Sequence, residues 1–219
     1  RRVRERIDIA AIAAGRTTDE VRLIAVTKYV DLETTAALVS AGAVDLGESR
    51  PQSLWEKASA IPAARWHLIG HLQRNKIRRL LPHIDRIHSL DSRRLLDAIQ
   101  SEAASRAEPI RGFLEVNLTQ DSAKTGTDPQ TAAQLLQDRL AWPSIEFVGL
   151  MGMASFDADP TAARREFAAL RELRDRLAIS SGLPLPELSM GMSGDFEAAI
   201  AEGATCVRIG SALFEGLER

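Results

Sequence analysis

Leu23-Ile24-Ala25-Val26-Thr27-Lys28 is a short apolar run that ends in a lysine, and it is the first clear member of a series of eight. Short apolar runs that alternate with helical patterns are typical of buried strands in parallel βαβ units. Eight of them predict an α/β fold, a (β/α)8 TIM barrel, although an open doubly wound sheet would show the same alternation. The predicted strands cover residues 22–28, 44–48, 66–70, 86–90, 112–118, 146–152, 187–192 and 205–210.

Two segments between these runs begin with the same helix signal, an aspartate followed by a proline. The aspartate can cap the helix, and proline fits the first helical position. The helix after Asp159-Pro160 is predicted to end at Gly182. The inward face of the helix after Asp128-Pro129 is predicted to consist of Ala132, Leu135, Leu136 and Leu140.

Length and composition favour one domain over residues 1–219, with a formal net charge of −2 and 45% hydrophobic residues. Low aromatic content and the lack of a basic excess argue against nucleic acid as the main partner. No apolar stretch approaches the ~20 residues that a membrane span needs. The single cysteine, Cys206, excludes an internal disulfide and suits a reducing cytoplasm. It lies in an apolar run, which favours a buried structural thiol over a nucleophile.

Lys28 is the first candidate functional residue, because active sites of such barrels lie at the carboxyl ends of the strands. A partly desolvated lysine there would hold more of the neutral amine, which attacks aldehydes to form a Schiff base. From its position alone, a solvated lysine at a strand end is the more common case.

The strongest ligand signal lies in two glycine-serine turns, after the seventh and eighth predicted strands. The first turn contains Gly191, Ser193 and Gly194 ahead of a short helix, and the second follows Arg208 as Gly210-Ser211. Backbone N–H groups at a helix start bind phosphate, and glycine permits close approach of a ligand. Either turn alone would more simply connect a strand to a helix, but two such turns with an arginine between them predict a phosphate site.

Other patterns are weaker. Gly149-Leu150-Met151-Gly152 lacks the third glycine of a dinucleotide fingerprint. His67 and His71 have a spacing that suits a metal only on a helix, so no metal site is predicted. Lys124 could place a second amine near the barrel mouth, although a surface lysine is more common.

Six segments of the chain resemble one known family when they are taken together and in order from about residue 22 to residue 214. They are Ala25 to Lys28, Trp66 to Lys76, Asn117 to Gly126, Gly149 to Met151, Ser189 to Ser193 and Arg208 to Ser211. This combination resembles the pyridoxal-phosphate homeostasis protein family, whose barrel is similar to the N-terminal domain of alanine racemase.

The resemblance implies a fold-type III barrel that carries pyridoxal 5′-phosphate in a Schiff base with Lys28. It also implies that Arg208 faces the pyridine nitrogen and that the phosphate is held by Ser193, Gly194, Gly210 and Ser211. Three positions depart from the family pattern. Ser49 replaces an asparagine that contacts the cofactor ring, Asp121 is a shorter carboxylate than usual, and Phe214-Glu215-Gly216 alters the last turn.

The expected function is to buffer or deliver pyridoxal 5′-phosphate without robust catalysis, with pyridoxal-phosphate-dependent apo-enzymes as candidate recipients. Racemisation needs an acid/base on each face of the substrate, and we expect the second base, which racemases take from another domain, to be missing. An arginine at the pyridine nitrogen also weakens the cofactor as an electron sink. The alternatives are a small racemase or lyase that uses Lys28 as a base, and a phosphate-ligand barrel without pyridoxal.

Overall fold

A computed structural model of the chain describes residues 2–118, 125–155 and 159–216. Within them, eight parallel strands follow one another around a closed barrel in chain order. The strands are β1 (Arg22–Val26), β2 (Asp45–Glu48), β3 (Arg65–Leu68), β4 (Arg86–Leu90), β5 (Ile110–Glu115), β6 (Ile145–Met151), β7 (Glu187–Ser189) and β8 (Cys206–Ile209).

Among the described residues, one α-helix lies between each pair of successive strands, and a further helix precedes β1 and packs against the helix that follows β7. None of the described helices is long and apolar enough to cross a membrane. The helices are α1 (Arg2–Ala13), α2 (Leu32–Ser40), α3 (Pro51–Ala60), α4 (Ile77–Leu80), α5 (Arg93–Ala103), α6 (Pro129–Gln137), α7 (Pro160–Ser181) and α8 (Phe196–Ala201).

Pairing of β1 with β8 confirms the predicted TIM barrel and excludes the open sheet. The two strands run parallel with Arg22 opposite Cys206 and Ala25 opposite Ile209. An open doubly wound sheet would leave two strand edges unpaired, whereas closure pairs both. Closure also brings the residues that follow every strand to one end of the barrel.

The predicted aspartate caps are present on both helices. The Asp128 carboxylate accepts hydrogen bonds from the backbone N–H groups of Gln130 and Thr131, and α7 ends at Gly182 in the left-handed conformation. The inward placement of Leu140 was wrong, since its side chain is 84% exposed. The helix α6 ends at Gln137, and a 3-10 turn over Arg139–Ala141 rotates this leucine outward.

Two apolar clusters form the core. The larger one fills the layer between the strands and the helices. The smaller one lies inside the barrel and consists of Ile24, Phe113, Val148, Met151 and Cys206. The Cys206 thiol is buried as predicted, and burial raises its pKa to about 12, which disfavours the nucleophilic thiolate.

We expect Gly149→Ala to destabilise the barrel strongly. A Cβ at this position on β6 would lie 1.7 Å from the carbonyl oxygen of Glu187 on β7, so the two paired strands would have to separate locally. Overpacking of this kind costs about 1–3 kcal/mol or more, or roughly 3–10 °C in melting temperature for a chain of this size. Gly194→Ala is the control, because no atom lies within 4 Å of its Cβ position. Equal melting temperatures for the two variants would contradict this interpretation of the β6–β7 contact.

Candidate functional site

A cavity of about 710 Å³ opens at the carboxyl ends of the strands. Its walls come from the ends of β1, β2, β3, β6, β7 and β8 and the segments that follow them, which closure of the barrel brings together. All six residues singled out by the sequence line this cavity: Lys28, Ser193, Gly194, Arg208, Gly210 and Ser211. The volume lies within the usual range for sites of small ligands and cofactors, roughly 300–1,000 Å³.

Lys28 lies at the cavity mouth, two residues after the end of β1. Its Nζ is 4.7 Å from the centroid of the Tyr29 ring, a distance that suits a cation–π contact. The Lys28 side chain is exposed, so this structure does not show the partial desolvation that would favour a neutral amine. The tyrosine ring beside it is itself 72% exposed and does not shield it.

Lys57, which the sequence analysis did not single out, fixes the backbone that carries Lys28. Its Nζ donates to the carbonyl oxygens of Thr27 and Val30, each at 2.8 Å, and to Oε1 of Glu48 at 2.6 Å. The Thr27 hydroxyl also donates to Glu48 Oε1, at 3.0 Å. These four residues form a clamp, named here the Lys57 clamp, that holds the chain on both sides of Lys28.

The two glycine-serine turns meet at the Ser193 hydroxyl. Its Oγ accepts hydrogen bonds from the backbone N–H groups of Gly210 and Ala212, each at 3.3 Å. The turn itself requires glycine at position 191, where φ is +92° and an added Cβ would lie 2.6 Å from Cβ of Ala199. Two backbone donors of the second turn therefore converge on the hydroxyl of the first turn, at one point of the cavity wall.

Arg208 brings a buried positive charge to the cavity. Only 5% of the residue is exposed, and its guanidinium donates to the carbonyl oxygen and the hydroxyl of Ser189, both at 2.7 Å, and to the carbonyl oxygen of Gly152 at 3.1 Å. Burial lowers its pKa to about 10, so the group stays charged at neutral pH. Because these acceptors are neutral, the positive charge is not cancelled by a hydrogen-bonded carboxylate and can act on a ligand.

The remaining candidates of the sequence analysis lie elsewhere. His67 is fully buried inside the barrel, whereas His71 is exposed and lies 3.3 Å from a carboxylate oxygen of Asp91. No group of three or more potential metal ligands occurs among the residues that the structure describes. Ser49, at the position of the family's asparagine, lines the cavity. Lys124 and Asp121 lie outside the described residues.

Comparison with known proteins gives one consistent family. The family model for the alanine racemase N-terminal domain matches residues 3–218. A pyridoxal phosphate homeostasis protein of Aquifex aeolicus is 39% identical over 97% of this chain and 94% of its own length.

Two solved structures agree with that result. A protein of unknown function from Bifidobacterium adolescentis has a TM-score of 0.89 and 39% identity, over 97% of this chain and 92% of its own. PipY of Synechococcus elongatus, solved with PLP bound, has a TM-score of 0.85 and 33% identity, over 97% of this chain and 99% of its own.

We expect Lys57→Met to loosen the segment that carries Lys28 and to destabilise the chain. The variant removes the ammonium that donates to the carbonyl oxygens of Thr27 and Val30. It also leaves the carboxylate of Glu48, whose side chain is 1% exposed, without its cation. Loss of one partner of a buried pair costs about 3–5 kcal/mol. Urea unfolding measures this loss.

The second substitution Glu48→Gln should recover part of the stability lost in Lys57→Met, because it removes the unpaired buried charge. A Lys57→Met variant as stable as the wild type, or a double variant less stable than Lys57→Met, would contradict the clamp.

Proposed function

Because the chain belongs to the pyridoxal phosphate homeostasis protein family, we propose that it binds pyridoxal 5′-phosphate in the cavity at the barrel mouth and buffers or delivers it. The observation that carries this proposal is the meeting of three groups in one cavity: the amine of Lys28, the buried cation of Arg208 and the two glycine-serine turns. Residues 1–219 would act as one cofactor-binding domain.

The cavity fits this cofactor in charge and in shape. The backbone N–H groups of Gly210 and Ala212 converge on the Ser193 hydroxyl, and such donors suit a phosphate. At Gly194 no atom of the chain lies within 4 Å of where a Cβ would be, so packing does not demand this glycine. The absence of a side chain leaves that part of the cavity open to a ligand.

Each lining residue then has a role. Lys28 would bind the aldehyde carbon through Nζ, and Ser193, Gly194, Gly210 and Ser211 would bind the phosphate. Arg208 would face the pyridine nitrogen. The bound group supplies an aldehyde and a conjugated ring that can withdraw electrons from an attached amine.

A carrier role is favoured over catalysis because of Arg208. An arginine only donates hydrogen bonds, so beside a pyridine nitrogen it favours the unprotonated ring, which withdraws electrons less strongly. Lys28 is exposed at the mouth, where a second protein can reach it. We propose that pyridoxal-phosphate-dependent apo-enzymes of the cytoplasm are the recipients, and that a panel of D- and L-amino acids shows no robust turnover.

Lys28→Ala should abolish covalent attachment of the cofactor. After incubation with pyridoxal 5′-phosphate and reduction with borohydride, peptide mass spectrometry of the wild type should find the modification on the Lys28 peptide. Lys76→Ala is the matched control, because Lys76 lies outside the cavity lining. A label on Lys124 alone in the wild type would overturn the assignment of Lys28.

Ser211→Ala should weaken cofactor affinity by about ten- to a hundredfold, since a hydrogen bond to a charged group contributes ~1.5–3 kcal/mol. Ser193→Ala should reduce the cofactor affinity less than Ser211→Ala does. The Ser193 hydroxyl accepts the N–H groups of Gly210 and Ala212, so its removal frees two donors for the phosphate. Fluorescence titration measures both affinities, with Ser180→Ala on α7 as the control. Unchanged affinity in the Ser193→Ala, Ser211→Ala double variant would exclude this phosphate site.

A further inference from the structure

A continuous line of buried polar side chains runs through the barrel from Asp45, at the amino end of β2, to Arg208 at the cavity. Oδ1 of Asp45 is 3.0 Å from Nε2 of His67, and Nδ1 of His67 is 2.9 Å from Nε2 of His88. Nδ1 of His88 is 2.7 Å from Oγ of Ser189, which accepts from Arg208 at 2.7 Å. His67, His88 and Ser189 are fully buried.

The carboxylate end of this line imposes one direction on its hydrogen bonds, and the arginine end is compatible with the same direction. At one end, Asp45 is ionised. Burial would raise its pKa, but hydrogen bonds from His67 and Arg65 hold that pKa well below its usual range. A carboxylate only accepts, so Nε2 of His67 must carry the proton. At the other end Arg208 only donates, so the Ser189 hydroxyl accepts from it and keeps its own proton available for Nδ1 of His88.

The two histidines connect these ends in only one way. Burial lowers the pKa of His67 and lowers that of His88 much further, so both rings are neutral. A neutral ring has one donor and one acceptor nitrogen. His88 therefore donates from Nε2 to Nδ1 of His67, and both rings carry their proton on Nε2. Every group in the line donates toward Asp45.

Burial of this many polar side chains carries a free-energy cost of desolvation, which an apolar barrel interior would avoid. The neighbouring residues show that apolar packing is possible here, since the Phe113 ring lies 4.3 Å from the His88 ring, centroid to centroid. The line ends on the guanidinium that lines the cavity. Its effect is to keep the Ser189 oxygen available as an acceptor, because the serine proton is committed to His88.

We infer that Asp45, His67, His88 and Ser189 are positioning residues, which hold the Arg208 guanidinium in a fixed orientation toward the cofactor. This inference rests on the proposed function, since it assigns Arg208 to the bound pyridoxal 5′-phosphate. Asp45 would then influence the cavity from the opposite end of the barrel, without contact with the ligand.

The first test measures the protons of the histidines in the chain without cofactor. The double variant His71→Gln, His83→Gln leaves His67 and His88 as the only histidines. With ¹⁵N-labelled histidine, NMR should show both rings neutral and protonated on Nε2. A proton on Nδ1 of either ring, or a charged ring at neutral pH, would overturn the directional line.

The second test breaks the line far from the ligand. Asp45→Asn lets the amide donate to Nε2 of His67, which permits the reversed direction and moves the His88 proton to Nδ1. If the line couples Asp45 to Arg208, Asp45→Asn should weaken pyridoxal 5′-phosphate affinity by roughly 3- to 30-fold and shift the absorption band of the bound cofactor. Arg65→Gln is the matched control. It removes the ion pair of Asp45 with Arg65 but keeps the carboxylate, and its affinity should stay within twofold.

Ser189→Ala covers the case in which Asp45→Asn does not fold. It removes one hydroxyl next to Arg208 and should give the same loss of affinity and a shifted absorption band, with the His67 tautomer unchanged. Wild-type affinity and an unchanged band in Ser189→Ala would overturn the positioning role. A wild-type chain that binds no pyridoxal 5′-phosphate overturns the proposed function as well, so the two failures are distinguishable.

Discussion

The buried guanidinium of Arg208 is the constraint on which the rest of the site depends. A cation inside a barrel is costly unless its donors are satisfied. Here the acceptors are the backbone of Gly152 after β6 and both oxygens of Ser189 at the end of β7. The arrangement fixes three neighbouring strand ends relative to one another and leaves the positive charge available to a ligand. Two glycine-serine turns beside it add backbone donors.

The opposite side of the cavity is organised by a second buried charge. Glu48 at the end of β2 is paired with Lys57, which also holds the carbonyls on both sides of Lys28. The amine of Lys28 is therefore exposed at its tip, while its backbone is held on both sides. This division suits the proposed capture and release of a cofactor, because the amine stays accessible while the proposed phosphate and ring sites are preorganised.

Much of the fold could be predicted because buried parallel strands are apolar runs in the sequence. Each of the eight predicted runs overlaps a strand of the structure. Lys28, Ser193, Gly194, Arg208, Gly210 and Ser211 could be predicted because they lie at the carboxyl ends of strands or in the turns that follow, and closure brings these ends together. Two details could not be predicted, for physical reasons. Leu140 turned outward because α6 ended early, and the exposure of Lys28 depends on loops rather than on its strand.

The sequence did not predict the side-chain contacts that cross the interior of the barrel. His67 and His88 are 21 residues apart and meet only through the register of β3 and β4 inside a closed barrel. Lys57 lies on the helix after β2 with no pattern that marks it as different from a surface lysine. A charged residue in a predicted buried strand, such as Glu48, is a signal that could have indicated a buried partner.

A crystal structure of the chain grown with pyridoxal 5′-phosphate tests the central claim most directly. The account predicts electron density continuous from Nζ of Lys28 to the cofactor, with the phosphate between Ser193 and Ser211 and the pyridine nitrogen facing Arg208. Density for the cofactor outside this cavity, or a phosphate away from both glycine-serine turns, would contradict it.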